Sequence, residues 1–254
     1  YTLSLDVCSS DLPFTVPNTT AEGLTVMRVV AADQMGNTLS PCSAYNIGET
    51  VDYLVEILQP CAGPVIYVDS SATGANTGKN WNDALTDLQD ALALKDVCPE
   101  VEEIWVAAGV YKPTAGSSRS VSFALKNGVA LYGGFQGAET ARSERNFRTN
   151  VTILSGNIND SGSATDNSYH VITSNGNNAT AVIDGFTIRD GYANHIGDNQ
   201  GGGFYINNSA TVIRNCIVRD NAARFASSTD YGAAMAIYNS SCMLESCVFT
   251  DNFD

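Results

Sequence analysis

Over the last third of the chain, apolar and polar residues alternate with a period of two, and the alternation returns every 30 or 31 residues. GGGFYINNSATVIRNCIVRDN (201–221) lies over GAAMAIYNSSCMLESCVFTDN (232–252) without a gap, at a shift of 31. Ile206 falls on Ile237, Asn208 on Asn239, Cys216 on Cys247, Asp220 on Asp251 and Asn221 on Asn252. One unit earlier, VIDGFTIRDG (182–191) falls on VIRNCIVRDN (212–221) at a shift of 30. Alternation of this kind predicts short half-buried strands, and a fixed period of this length predicts a coil whose turns stack. A helical repeat is excluded, because its apolar positions would recur every three or four residues.

Stacked turns lie about 4.7–4.9 Å apart, so equivalent residues become neighbours along the axis. The predicted inward ladders are Phe204/Met235, Ile206/Ile237, Ile183/Ile213/Leu244, Phe186/Cys216/Cys247 and Ile188/Val218/Phe249. Each such side chain contributes about 1.5–3 kcal/mol when fully buried, and no turn can bury its own. Asn208/Asn239 and Asn221/Asn252 are expected inward at bends, where stacked amides bond one another and the turn backbone. Cys216 and Cys247 read as small buried apolar side chains inside an unbroken ladder.

Upstream, residues 65–150 are expected to start and cap the coil, with the regular turns over 151–254. Val65–Val68 reads as a strand, and Thr86-Asp-Leu-Gln89 as a capping box opening a short helix with the stripe Leu88, Ala91, Leu92, Lys95. A helix laid across a solenoid end covers unpaired strand edges. Before the coil, residues 13–60 predict a small β module. Its last strand, Gly48–Ile57, places Val51, Tyr53, Val55 and Ile57 on one face. Residues 1–12 fit neither part. Read back into codons, Asp6 to Leu12 resemble a common sequencing adapter, so this stretch is set apart from fold reasoning.

Composition narrows the classes. The chain has 254 residues, 13 basic against 27 acidic, and a net charge of −14 with no basic segment. That excludes a nucleic-acid partner, which needs a surplus of Lys and Arg, and no apolar run approaches the roughly 20 residues of a membrane span. With two histidines in the chain and no CxxC, a zinc site is not expected. Cys61 could pair with either Cys42 or Cys98 in an oxidising compartment.

Two resemblances follow from these residues. Gly48, Glu49, Asp52 and Tyr53 match the Gly-Glu-Val-Glu-Asp-Tyr hallmark of the GEVED-type module of secreted bacterial proteins, while Thr50 and Val51 depart from it. The resemblance implies the C-terminal part of an exported β-sandwich accessory module. From Tyr67-Val-Asp69 through Glu103–Gly109, Leu125–Phe135 and Thr152–Gly156 to Ser168–Val171, the segments run in the order seen in bacterial right-handed parallel β-helix repeat proteins of pectate-lyase-like fold. Gly201–Phe204 and Phe249–Asn252 resemble the repeats of polymorphic outer-membrane proteins. The expected fold is therefore all-β: a right-handed parallel β-helix over 61–254 with an N-terminal capping α-helix, preceded by a partial β-sandwich module.

The resemblance implies secretion or display on a bacterial surface, with an extracellular polysaccharide or surface protein as partner and a monomeric state. The lead expectation is a non-catalytic solenoid for adhesion or scaffolding. The other is a polysaccharide lyase or glycoside hydrolase whose active turns lie outside this sequence. The Gly-flanked histidine of the pectin hydrolases is missing, since His170 stands in Tyr-His-Val and His195 in Asn-His-Ile. His170 reads as a structural residue at a strand start and His195 as a loop residue. The candidate for chemistry is the column Asp190/Asp220/Asp251, with Arg189 and Arg219 beside it. Three stacked carboxylates must splay into water, cap turns or hold a hard cation, so Ca²⁺ is the one cofactor this pattern suggests.

Overall fold

The computed structural model describes residues 2–7, 10–15, 23–32, 48–57, 61, 63–160, 162–224 and 232–253, with side chains before residue 58 described only at 26–29 and 51–55. The chain divides into a unit over Tyr1–Pro60 and a second over Cys61–Asp254.

The first unit contains two antiparallel pairs. Thr2–Val7 pairs with Ser10–Thr15, so the stretch set apart on sequence supplies one strand and part of another. Gly23–Ala32 pairs with Gly48–Ile57 in the register Met27↔Tyr53, Arg28↔Asp52, Val29↔Val51. On the predicted face Val51 and Val55 are half-buried but Tyr53 is 47% exposed, and Leu54 on the other is 71% exposed. Arg28 grips Asp52 with two hydrogen bonds of 2.7 Å across the pair. That contact holds the Asp52 carboxyl below its ordinary pKa. Asp52 is thereby engaged by a cation from its own sheet; the Glu49 side chain and Cys42 lie outside the described residues.

The second unit is a parallel β-solenoid of about five turns with three long sheets running along its axis and a two-stranded one, Tyr192–Ala193 beside Ala222–Ala223. The first sheet orders Gly109–Tyr111, Thr152–Ser155, Phe186–Arg189, Ile217–Arg219 and Val248–Thr250. The second orders Phe123–Ala124, Ile172–Asn175, Phe204–Asn207 and Met235–Tyr238. The third runs from Val65–Val68 through Glu103–Ala107, Ala130–Phe135, Val182–Asp184 and Val212–Arg214 to Met243–Glu245. Register follows the sequence repeat: Ile206 faces Ile237, Ile183 faces Ile213 and then Leu244, and Ile188 faces Val218 and then Phe249. Ile183, Ile188, Phe204, Ile206, Ile213, Cys216 and Val218 have no solvent exposure. In the last turn the same columns open, with Ile237, Leu244 and Phe249 each 42–45% exposed, because no coil in this sequence stacks upon them.

The corners are built from single left-handed residues. Gly176, Asn208 and Asn239 occupy one corner column at φ +69, +49 and +45°. Gly185, Asn215 and Ser246 occupy the next, and Asp190, Asp220 and Asp251 the third at +64, +55 and +52°. Asn and Asp are the side-chain-bearing residues that best tolerate this region, which explains their recurrence at these places.

The cap helix is present, spanning Leu88–Val97 with Leu88, Ala91 and Leu92 buried, and it packs against Val65–Val68 and Phe123–Ala124. Its N-terminus differs from the expected capping box. Asp87 is the N-cap, accepting from the Gln89 backbone at 2.9 Å, while the Thr86 amide donates to Asn76. The Gln89 side chain reaches away to the carbonyls of Pro113 and Ser122, so it stitches helix to coil and cannot close a box. At the far end, Cys98 is disulfide-bonded to Cys61, with Cα atoms 5.7 Å apart. This selects one of the two pairings left open by sequence.

Candidate binding face

The strands of the second sheet turn alternate residues inward and outward. With Phe204 and Ile206 in the core, Tyr205 and Asn207 face out, continued by Thr173 and Asn175 on one neighbour and Ala236 and Tyr238 on the other. The His170 ring stacks on Tyr205 at 4.9 Å, and Tyr205 meets Tyr238 at 5.7 Å, giving an aromatic row along the axis. Beside it, Asn207 donates to Asn175 at 3.5 Å.

At the corner that follows, Asn178, Asn208, Ser209, Asn239, Ser240 and Ser241 line much of a groove of about 440 Å³. Asn208 and Asn239 are corrected here. They were expected inward, yet both are exposed, because a left-handed corner residue carries its side chain off the coil. The inward positions belong to their neighbours. Ser174, Asn177, Ser209 and Thr211 are buried and bonded together, with Ser174 to Thr211 at 2.6 Å and Asn177 to Ser174 at 2.8 Å. The buried hydroxyls and amides are thus satisfied within, leaving the outer amides to solvent. A second groove of about 230 Å³ is lined by Gln200, Gly232, Met235, Ala236, Ile237 and Tyr238. Neither lining includes an Asp, Glu, Lys or Arg among the described residues.

Asn221 and Asn252 face inward. Asn221 is fully buried; its amide nitrogen donates to the carbonyls of Ile188 and Arg219 and to Asn252 Oδ1 at 3.0–3.1 Å. Its oxygen accepts from the Gly191 amide at 2.9 Å, which fills the bend where the column lacks an amide side chain.

The aspartate column is arranged differently from a cation cage. Backbone bonds link its members, Asp190 N to Asp220 O and Asp220 N to Asp251 O, at 3.0–3.1 Å. Their carboxylates are occupied separately: Asp190 by Arg189 at 3.2 Å and Ser155 at 2.7 Å, Asp220 by Arg219, and Asp251 by Thr250 at 2.9 Å. Among the described residues, the three carboxylates do not bring an oxygen each within 4.8 Å of one another. Their geometry is that of left-handed turn residues, two paired with a neighbouring arginine and the third with a threonine hydroxyl. The cluster that does converge to that limit, Cys61, Cys98 and Glu100, has two of its sulfurs committed to the disulfide.

Cys216 and Cys247 lie in one ladder as unbonded thiols. Burial pushes the Cys216 thiol well up. Hydrogen bonding from Cys216 draws Cys247 down to about 6. Missed by sequence reasoning is a salt bridge of 2.8 Å between Arg145 and Asp184, both nearly buried. Also missed is the meeting of His170 and His195 at Asp198, at 3.5 and 3.8 Å. His195 and Asp198 lie three residues apart, but no spacing rule signals the Arg145–Asp184 or His170–Asp198 contact, because each joins distant segments.

Comparison with known families finds the GEVED domain, whose family model matches residues 4–56. The match covers most of both antiparallel pairs of the first unit and begins inside the stretch 1–12. Comparisons with curated proteins and with solved structures found no match. The chain therefore carries a GEVED-domain match followed by a β-solenoid, and no helix among its described residues is long and apolar enough to cross a membrane.

Proposed function

We propose that this chain is an exported, non-catalytic solenoid that binds an uncharged polysaccharide along the outer face of its second sheet. The observation that carries the reading is the aromatic row His170–Tyr205–Tyr238 lying beside parallel rows of Asn and Ser. Aromatic faces stack on the apolar faces of sugar rings, and amides and hydroxyls bond ring hydroxyls in either direction. The columns Asn208/Asn239 and Ser209/Ser240 repeat at the spacing of stacked turns, which suits a polymer with repeating hydroxyls. The absence of ionisable groups from the described groove linings and the net charge of −14 favour an uncharged chain over an anionic one. The Cys61–Cys98 disulfide supports export, since such bonds persist in oxidising compartments.

The test is binding to arrays of neutral and anionic polysaccharides, with wild type beside Tyr205→Ala and Tyr238→Ala. Retention of neutral glycans, weakened about tenfold or more by each variant, is the expected outcome. Equal binding of anionic glycans, or neutral binding that both variants leave unchanged, refutes the reading.

A further inference from the structure

Both histidines of the chain meet one carboxylate. His170 leads into the second-sheet strand Ile172–Asn175, and its side chain is only 10% exposed. His195 and Asp198 flank a tight turn in which the Asp198 amide donates to the His195 carbonyl at 2.9 Å and Gly197 takes φ +93°. His170 Nε2 stands 3.5 Å from Asp198 Oδ1, and His195 Nδ1 stands 3.8 Å from Asp198 Oδ2.

The protonation of His170 is constrained by its other nitrogen. Nδ1 lies 3.0 Å from the Gly201 carbonyl oxygen, which can only accept, so Nδ1 carries the hydrogen. In the neutral ring Nε2 then presents a lone pair, and what it faces is a carboxylate oxygen, another acceptor. Two acceptors held this way call for a cation. An imidazole oriented through one nitrogen by a backbone carbonyl, with the other left open, is the arrangement metal-binding histidines use. Two ligands of a tetrahedral ion at about 2.0–2.2 Å lie about 3.4 Å apart, close to the His170–Asp198 separation.

We propose that His170, His195 and Asp198 bind a divalent transition cation of the Zn²⁺ kind, with solvent completing the coordination. Imidazole nitrogens select such an ion over Ca²⁺ or Mg²⁺, which prefer all-oxygen shells. The net charge of −14 favours its approach. The three side chains do not yet bring one donor each within 4.8 Å of one another. Binding therefore turns His195 and Asp198 toward His170, and their exposures of 53 and 42% leave them room to turn. The bound ion pins this hairpin to the start of the second sheet, next to the ring of Tyr205 that stacks on His170. The site does not depend on the polysaccharide reading.

The test is calorimetric titration of the full chain with Zn²⁺ at about pH 7.5, where an ordinary histidine is neutral. One ion per chain with a Kd of about 1 μM or tighter is expected. His195→Ala and Asp198→Asn should each weaken it at least tenfold with unchanged circular dichroism, since both positions are exposed enough to be replaced without unfolding. Affinity that these variants leave unmoved but thiol alkylation abolishes belongs to the free cysteines and overturns the proposal. A chain that takes no Zn²⁺ overturns it as well.

Discussion

Asn221 joins more of the solenoid than any other single side chain described above, and its replacement by alanine tests the stacking argument most directly. The change removes the acceptor of the Gly191 amide and the donor shared by the carbonyls of Ile188 and Arg219 and by Asn252 Oδ1. The site is fully buried, so water does not take over without opening the bend. Two weakened carbonyl bonds at about 1 kcal/mol each, plus a stranded N–H at about 1–3, give roughly 3–5 kcal/mol. For a unit of this size that corresponds to a loss of about 10 °C in Tm. The matched control is Asn252→Ala. Asn252 Oδ1 accepts from the Asn221 backbone N–H at 3.1 Å and from its Nδ2 at 3.0 Å, and its own Nδ2 donates to the carbonyls of Val218 and Thr250 at 2.9 Å. Asn252 is half-exposed, so water replaces part of these bonds and its loss should cost less, about 2 kcal/mol. Thermal unfolding by circular dichroism gives the global shift, and hydrogen exchange of the Gly191 amide gives the local one. A smaller shift for Asn221→Ala than for Asn252→Ala, or unchanged protection at Gly191, would refute the claim that the buried amide column holds the turns in register.

Other outcomes follow from the same structure. Reducing the Cys61–Cys98 bond, which closes a sequence separation of 37, should remove about 4 kcal/mol on the chain-entropy account, read as a drop in denaturant midpoint under reductant. Arg145→Ala should cost about 3 kcal/mol because it leaves the nearly buried Asp184 carboxylate without its cation, though still held by Asn215 at 2.8 Å, while the double variant with Asp184→Asn recovers part of the loss in a mutant cycle. At the corners, Asp220→Gly should be nearly neutral and Asp220→Val should cost about 1–3 kcal/mol, since φ +55° suits glycine and penalises a β-branched residue. At about pH 7, iodoacetamide should modify Cys247, drawn down to about 6, before Cys242, which burial pushes up; peptide mass spectrometry reads the order.

The architecture was legible in the chain because a solenoid writes its long-range contacts as a shift between segments. A displacement of 30 or 31 residues already pairs Ile206 with Ile237 and Ile188 with Val218, and period-two alternation chooses the buried member. The need for a cap was equally readable, because the start of a parallel coil presents open strand edges that must be covered.

What neighbouring segments do to one another was decided only by folding. Asn208 and Asn221 both sit at bends in the sequence, yet a φ of +49° turns the first outward while the second fills the bend beside Gly191. Three aspartates in a column leave turn capping and cation binding both open in the sequence; only folding supplies Arg189, Arg219, Ser155 and Thr250 as partners of their carboxylates. The choice of Cys98 for Cys61, and the convergence of His170 and His195 on Asp198, rest on loops whose paths no repeat encodes. Periodicity determines which residues share a face because backbone geometry repeats identically along the chain. Partnership at the corners depends instead on individual dihedral angles and on where an irregular loop lands.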